Sequence, residues 1–267
     1  MPLIRIEGPD DPRIAAYRNV ADSELLRRRG LFVAEGRLVV ERVIKDRRFS
    51  LHSLLLNETS YRALSGALAT VSFDVPRFVC ETPDFLGITG LPLHRGCLAL
   101  VERPAPMASC EILRDARTIV VLEGVTNADN VGGVFRNVAA FGADGVMLSP
   151  TCCDPFYRKA IRTSMGATIR IPFSRIDEWP DGLADVRATG FTLVALTPRQ
   201  PSTTLDEFVA SERPLRVALL IGTEGAGLSD EARSAADVSV RIPISDAVDS
   251  LNLAVATGIV LSRLRKV

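Results

Sequence analysis

A glycine-rich turn follows an apolar run near the C-terminus. The run ends in "IGTEGAG" at residues 221–227, where Glu224 is the one charged residue. This pattern is typical of a strand that ends in a ligand-binding turn, because glycine lets the backbone approach a ligand closely. A P-loop needs a lysine after its last glycine, where this chain has Leu228, and a dinucleotide fingerprint needs a third glycine, where it has Asp230.

The position of the turn also argues against the common nucleotide folds. Dinucleotide-binding folds and doubly wound methyltransferases place their glycine turn near the start of the domain, with several strands to follow. Here only 40 residues follow Gly227, enough for one strand and two helices. The sequence therefore predicts a ligand site built from the end of a fold, and an NAD-dependent oxidoreductase is disfavoured.

Two further segments place polar side chains at predicted helix starts. In "NADNVGGVFR", Asn130 is predicted to cap a helix that carries Arg136, and a helix N-terminus with an arginine can hold an anion such as phosphate. In "RIPISDAVDSLN", Asp249 or Ser250 is predicted to cap the last helix, and Asn252 in its first turn indicates a role for its amide. Taken alone, the first segment is also explained by an ordinary capped helix, and the second by a helix of the core.

The surrounding pattern predicts an α/β protein of two domains. After residue 117, short apolar strands alternate with helices, which indicates a parallel sheet covered on both faces. The first hundred residues form a smaller α/β unit, with helices predicted over residues 12–48 and strands after them, and "RPAPMAS" at 103–109 is the best linker candidate. The strands predicted in the second part are 118–124, 145–149, 169–173, 191–197, 215–222 and 238–244, and the predicted domains are 1–104 and 117–267, joined by a linker at 105–116.

Composition excludes several classes of protein. The chain has 32 Lys and Arg and 32 Asp and Glu, so its net charge is zero. Nucleic-acid binding would therefore depend on local patches of positive charge. Only three of the cationic residues are lysines, and the rest are arginines, which suit bidentate phosphate contacts. Codon use in a GC-rich genome explains the same bias.

Five cysteines without a CxxC pair or Cys/His cluster predict neither a zinc site nor a disulfide framework. The two histidines lie away from the glycine motifs, so a Ser/His/Asp hydrolase lacks support. No apolar run long enough to cross a bilayer and no signal peptide are evident, so we expect a cytoplasmic protein.

Together the three segments resemble the SpoU/TrmH family of RNA ribose 2′-O-methyltransferases in the SPOUT superfamily. The order and spacing of the motifs agree over residues 118–265, and "CCDPFYRKAIRTSMGA" looks like the family's segment between its first two motifs. The N-terminal "LFVAEGRLVVERVI" is similar to an L30e-like substrate-binding domain. The three family motifs, N-x-G-x-x-x-R, G-x-E-x-x-G-[LI] and Ile-Pro followed by S-L-N, are matched by Asn130, Gly132 and Arg136, by Gly222, Glu224, Gly227 and Leu228, and by Ile242, Pro243, Ser250, Leu251 and Asn252.

The resemblance implies a catalytic domain with a deep trefoil knot that binds S-adenosylmethionine and needs no metal. It implies catalysis by Arg136, supported by Asn130, Glu224, Ser250 and Asn252. Its implied cofactor-binding residues are Thr197, Gly222, Gly227, Ile242 and Leu251.

The resemblance also implies partners. The family's catalytic domains pair as homodimers, and no membrane is involved. Arg158 and Arg162 are expected to reach RNA or the partner's active site, with a solvated basic face as the alternative. The L30e-like domain favours ribosomal RNA over transfer RNA, and a transfer-RNA enzyme or a non-catalytic RNA-binding module on the same fold are the alternative functions.

Three positions depart from the family pattern. Many members have a glycine shortly after the Ile-Pro segment, where this chain has "SDAVD", and many have serine where Ala254 stands. Substrate contacts near these two positions are therefore expected to differ. Gly133 stands where alanine is common, and that change is expected to be harmless.

Overall fold

The computed structural model describes residues 3–18, 22–89, 96–211 and 214–265. The chain divides into two compact units, and each contains one sheet. The first unit is Met1–Ala105 together with Phe156–Gly166, and the second is Pro106–Pro155 together with Ala167–Val267. The break after Ala105 lies next to the predicted end of the first domain, but the inclusion of Phe156–Gly166 in the first unit differs from the prediction.

The first unit is built on a mixed five-stranded sheet. The strand order is β1-β4-β3-β5-β2, in which β1, β4 and β3 are parallel and β5 runs antiparallel to both of its neighbours. A 3-10 helix spans Pro12–Tyr17. The strands are β1 Ile4–Arg5, β2 Leu31–Glu35, β3 Leu51–Leu56, β4 Arg77–Val79 and β5 Cys97–Glu102, and the helices are α1 Asp22–Arg29, α2 Arg37–Lys45, α3 Glu58–Ala63, α4 Ser65–Leu68 and α5 Asp84–Thr89.

Strand β2 lies within the region predicted as helices. Its first four residues, "LFVA", are all buried, so the strand lacks the alternation of apolar and polar residues that marks a half-exposed strand. The helix predicted after it is confirmed as α2, which buries Val39, Val40 and Val43 at helical spacing. Periodicity therefore identified the amphipathic helix and missed the fully buried strand.

Phe156–Gly166 packs with the first unit through several contacts. The Phe156 ring stacks on Phe32 at 4.6 Å between centroids, and Nη1 of Arg42 donates a hydrogen bond to the Met165 carbonyl at 2.5 Å. A short helix at Arg158–Thr163 ends because Met165 and Gly166 take left-handed φ angles of 53° and 78°. Aromatic packing and backbone contacts thus hold this segment on the first unit, although it lies in the middle of the predicted second domain.

The second unit contains a sheet of seven parallel strands, which confirms the parallel sheet predicted for this part of the chain. The sequence predicted six of these strands and missed the two-residue strand Thr203–Thr204. The strand order is β10-β12-β9-β11-β6-β7-β8. The strands are β6 Thr118–Leu122, β7 Gly145–Leu148, β8 Phe173–Arg175, β9 Thr192–Leu196, β10 Thr203–Thr204, β11 Val217–Ile221 and β12 Val238–Arg241. The helix Arg158–Thr163 of the first unit is α8 in the numbering along the chain. The helices of the second unit are α6 Ser109–Asp115, α7 Ala128–Phe141, α9 Ala167–Arg170, α10 Leu183–Ala188, α11 Leu205–Ala210, α12 Asp230–Ser234 and α13 Leu253–Leu264.

Two boundaries differ from the sequence prediction. Most of the predicted linker is helix α6, whose Ile112 and Leu113 are buried in the core of the second unit. The strand predicted over 169–173 is instead β8 at Phe173–Arg175, because α9 occupies the preceding residues. Burial by the neighbouring sheet decided both cases, and short apolar runs do not distinguish helix from strand by themselves.

The centre of this sheet sets the position of the predicted ligand turn. Strands β12, β9 and β11 are adjacent and parallel, so their carboxyl ends lie at one edge. Those ends are Arg241, Leu196 and Ile221, and each is followed directly by a predicted cofactor-binding residue. In open parallel sheets this edge is where ligands bind.

Candidate active site

A cavity opens at the carboxyl edge of strands β9, β11 and β12. It contains all five residues predicted to bind the cofactor, and Glu224 and Ser250 of the predicted catalytic group also line it. Leu196, Ile221, Leu253 and Ala256 add apolar walls. The five cofactor residues that the structure brings together here are Thr197, Gly222, Gly227, Ile242 and Leu251.

The glycine turn is held by its own backbone. Gly227 N donates to the Thr223 carbonyl at 3.0 Å, and Gly227 has a left-handed φ of 73°. A Cβ on Gly222 would lie 2.0 Å from the carbonyl carbon of Gly227. Glycine is therefore required at position 222 because the turn folds back onto itself, which is a different reason from the close approach of a ligand that the sequence pattern indicates.

The Asn252 amide connects the three motifs. Its Nδ2 donates to Oδ1 of Asn130 at 3.1 Å and to Oε1 of Glu224 at 2.9 Å. Asn130 is buried, while Glu224 and Asn252 are exposed beside the cavity. One side chain thus brings together residues of three segments that lie far apart in the sequence.

The helix caps correct two predictions. Asn252, not Asp249 or Ser250, caps α13: its Oδ1 accepts the backbone N–H groups of Ala254 and Val255 at 3.0 and 3.2 Å. Asn127, not Asn130, caps α7. Several Asx and Ser residues precede each helix, so sequence offers several candidate caps and the packing of the first turn selects one.

Arg136 lies in α7 with its side chain exposed. No hydrogen bond or ion pair joins its guanidinium to another residue within the described ranges. Asn130 and Arg136 are six positions apart, about 1.7 helical turns, so the two side chains leave the helix in different directions. Asn130 thus faces the Asn252 junction, and Arg136 presents an uncompensated charge to solvent.

Glu123 anchors the glycine turn from the end of β6, and sequence reasoning missed it. Its carboxylate accepts hydrogen bonds from Ser229 N at 2.8 Å, from Ser229 Oγ at 2.7 Å and from Trp179 Nε1 at 2.6 Å. Ser229 follows Leu228 and caps α12, so the carboxylate fixes the point where the turn leaves the cavity. The only signal in the sequence was a charged residue directly after a buried strand.

Arg158 and Arg162 lie in the first unit, where both approach Glu35. Arg158 Nε is 2.6 Å from Oε2 of Glu35 and its side chain is 16% exposed, while Nη1 of Arg162 is 3.9 Å from Oε1. The Arg158 backbone N–H also donates to Asp22 at 2.8 Å, and burial raises the pKa of that carboxyl. Arg158 is therefore committed to an ion pair within the unit, whereas the Arg162 side chain is about half exposed.

Comparison with known proteins decides the family. Residues 117–262 match the model of the SpoU rRNA methylase family. An uncharacterized tRNA/rRNA methyltransferase of Mycobacterium bovis is 36% identical over 255 residues, which cover 94% of this chain and 88% of that protein. The chain belongs to the SpoU rRNA methylase family.

Solved structures agree over almost the whole length of this SpoU-family chain. A structure of an AdoMet-bound rRNA methyltransferase from Sinorhizobium meliloti matches with a TM-score of 0.80 and 25% identity, over 98% of this chain and 97% of that one. The SpoU methyltransferase AviRb from Streptomyces viridochromogenes shares the fold, with a TM-score of 0.75 and 24% identity over 95% and 96% of the two chains. The protein is an RNA methyltransferase, and its cofactor is S-adenosylmethionine.

The cavity fits the chemistry of this cofactor. Apolar side chains from three strand ends form walls that suit an adenine ring, and the Thr197 hydroxyl and Glu224 carboxylate supply polar groups at the same cavity. Among the residues described, the Glu224 carboxylate accepts one hydrogen bond, through its Oε1 from Asn252. Within the same ranges, no cluster of His, Cys, Asp and Glu could hold a metal ion. No described helix is long and apolar enough to cross a membrane.

Proposed function

We propose that this protein transfers a methyl group from S-adenosylmethionine to a ribose 2′-hydroxyl of RNA. The observation that carries the proposal is the Asn252 amide, hydrogen-bonded to both Asn130 and Glu224 at the edge of the cavity. This junction joins the three segments whose pattern resembles the 2′-O-methyltransferases. When bound, the cofactor would supply an electrophilic methyl group for the 2′-oxygen, with the thioether as leaving group, and the hydroxyl proton would pass to solvent water.

The chain's own residues supply orientation and charge in this proposal. Thr197, Gly222, Gly227, Ile242 and Leu251 hold the cofactor. Arg136 binds a phosphate next to the target ribose and lowers the pKa of the hydroxyl electrostatically; a guanidinium is a poor general base because it stays protonated in proteins. Asn130 positions the ribose or Arg136, and Glu224, Ser250 and Asn252 shape the acceptor side of the site.

Ribosomal RNA is the substrate class we favour. The S. meliloti protein that matches nearly the whole chain is named an rRNA methyltransferase, while the M. bovis relative is named for both tRNA and rRNA. We also propose that the first unit is an L30e-like domain and that it binds the substrate RNA. A transfer-RNA enzyme and a non-catalytic RNA-binding protein are the alternatives, and each predicts a different result in the experiment below.

We further propose a homodimer formed through the second unit. The proposal rests on the family resemblance, because the catalytic domains of that family pair as homodimers. Light scattering of the purified protein is expected to give the mass of two chains. A mass of one chain at micromolar concentration would contradict the dimer and leave the chemistry untouched.

The decisive experiment maps ribose methylation in total RNA from cells with and without the gene. We expect one 2′-O-methylated nucleotide in ribosomal RNA to disappear with the gene and to return when the purified protein and S-adenosylmethionine are added to that RNA. A change confined to transfer RNA would support the first alternative. Cofactor binding by calorimetry without any methylation difference would support the second.

The variant Arg136→Ala tests the proposed role of the guanidinium. We expect methyl transfer to fall at least a hundredfold, about 3 kcal/mol of transition-state stabilisation, because the positive charge at the acceptor is lost. Cofactor affinity is expected to stay within about twofold, since Arg136 does not line the cavity. Arg114→Ala, which removes an exposed arginine from α6, is the control, and full activity of Arg136→Ala would contradict the assignment.

A further inference from the structure

The two units carry opposite net charge, although the whole chain is neutral. The first unit contains 18 Lys and Arg against 13 Asp and Glu, and the second contains 14 against 19. Binding of a polyanion depends on the local field rather than on the total charge. The first unit is therefore the basic part of the molecule.

Positive charge gathers at one end of the five-stranded sheet. There Arg103 N donates to the Gly30 carbonyl at 2.7 Å, and Glu102 N donates to the Ser50 carbonyl at 2.9 Å, so the residues before β2, before β3 and after β5 are neighbours. Helices α1 and α2 also end here. We call this surface the basic edge, and its six arginines are Arg27, Arg28, Arg29, Arg47, Arg48 and Arg103.

Three of these guanidinium groups are uncompensated. Arg27, Arg29 and Arg47 are exposed and have no hydrogen-bond or ion-pair partner among the residues that the structure describes. The acids nearby are partly engaged: Glu24 is 3.5 Å from Arg28 and Asp46 is 2.6 Å from Arg48, and exposed Glu102 remains. The basic edge thus keeps a net positive charge that its partners among the described residues do not neutralise.

Aromatic rings hold two of the other arginines in place. Cζ of Arg48 lies 5.5 Å from the Phe49 ring centroid, and Cζ of Arg103 lies 6.0 Å from that of Phe156. The Phe49 and Phe156 rings meet edge to face at 6.3 Å. Fixed cations on a packed aromatic base lose less conformational freedom on binding than free side chains do.

We propose that the basic edge binds the phosphate backbone of the substrate RNA. The proposal rests on the proposed function and adds the surface by which the first unit holds the RNA. Several guanidinium groups on one surface can neutralise several phosphates, which arginine binds in bidentate fashion. None of the large exposed apolar residues within the described ranges belongs to the basic edge, which favours a phosphate backbone over a protein segment as its partner.

Two triple variants of the full chain test this surface. Arg27→Gln/Arg29→Gln/Arg47→Gln removes the free charges of the basic edge. The matched control, Arg5→Gln/Arg37→Gln/Arg62→Gln, removes three arginines near the other end of the same sheet, where β1, β2 and β3 finish. The probe is fluorescein-labelled, fragmented total RNA from cells lacking the gene, titrated by anisotropy at several KCl concentrations, with cofactor binding measured by calorimetry.

We expect the basic-edge variant to bind this RNA roughly ten- to a hundredfold more weakly near ~0.1 M salt, with the slope of log K against log salt reduced by about 2 to 3. Cofactor binding by the basic-edge variant, and RNA binding by the control variant, are expected to match those of the wild-type protein. The inference would be overturned if the basic-edge variant bound RNA with wild-type affinity, or if both variants lost affinity equally. In either case, RNA methylation by the wild-type protein would still uphold the proposed function. A wild-type protein that neither binds nor methylates RNA would overturn both.

Discussion

At the scale of single residues, Asn252 uses all the hydrogen-bonding capacity of its amide. Its nitrogen donates twice, to Asn130 and Glu224, and its oxygen accepts twice from the first turn of α13. The cap fixes the position of the side chain, and the fixed side chain then holds the other two motifs. The cap of α13 and the connection between the three motifs are therefore made by the same side chain.

The two roles of Asn252 can be separated by substitution. Asn252→Ser keeps a capping oxygen but cannot donate to both partners, so we expect nearly unchanged stability and at least tenfold slower methyl transfer. Asn252→Ala also loses the cap and should unfold about 1 kcal/mol more easily. Urea denaturation and single-turnover methylation measure the two effects, and a fully active Asn252→Ser would show that the junction is dispensable.

At the scale of elements, α7 and α13 approach closely enough to require small residues. Asn137 Nδ2 donates to the Ala254 carbonyl at 2.5 Å, and Gly258 lies against the Asn137 side chain. A Cβ on Gly133 would lie 2.6 Å from the Ala254 Cβ. Gly133, a departure from the family pattern for which the sequence predicts no harm, thus lies against Ala254, another departure, on the opposite helix.

This match predicts a coupled effect on stability. Gly133→Ala should destabilise the protein by about 1–2 kcal/mol, because overpacking outweighs the gain of about 1 kcal/mol in helix propensity. Removing the opposing methyl group in Gly133→Ala/Ala254→Gly should recover part of that loss. Chemical denaturation of both single variants and the double variant gives the coupling energy, and strictly additive effects would show that the two residues do not meet.

At the scale of the whole molecule, two sheets build two cores, and these cores cover most of the thiols. Cys80, Cys97, Cys152 and Cys153 are buried, and Cys110 on α6 is exposed. Burial raises the pKa of the Cys97 thiol to about 12, and burial together with the negative charge of Asp84 does the same for Cys80. Since the thiolate is the reactive form, these two groups are shielded both sterically and electrostatically.

Thiol labelling therefore tests the integrity of both units at once. We expect one cysteine to react rapidly with an aromatic disulfide reagent at neutral pH in the native protein, and all five to react in denaturant. Cys110→Ser should abolish the rapid phase and leave methylation unchanged, because α6 contributes nothing to the cavity. Rapid reaction of a second thiol in the native protein would contradict the burial of the remaining four.

Local patterns in the sequence were enough to predict the parallel α/β character of the second unit, the family, and seven of the residues that line the cavity. Strand runs, glycine turns and motif spacing are local patterns, and parallel topology brings the ends of such strands to one edge. Packing between distant segments determines which residue caps each of α7 and α13, that β2 is a strand, and that Phe156–Gly166 joins the first unit. It also determines that Asn252 meets Asn130, 122 positions away. These features depend on burial and on side-chain contacts between distant segments, which no local pattern specifies.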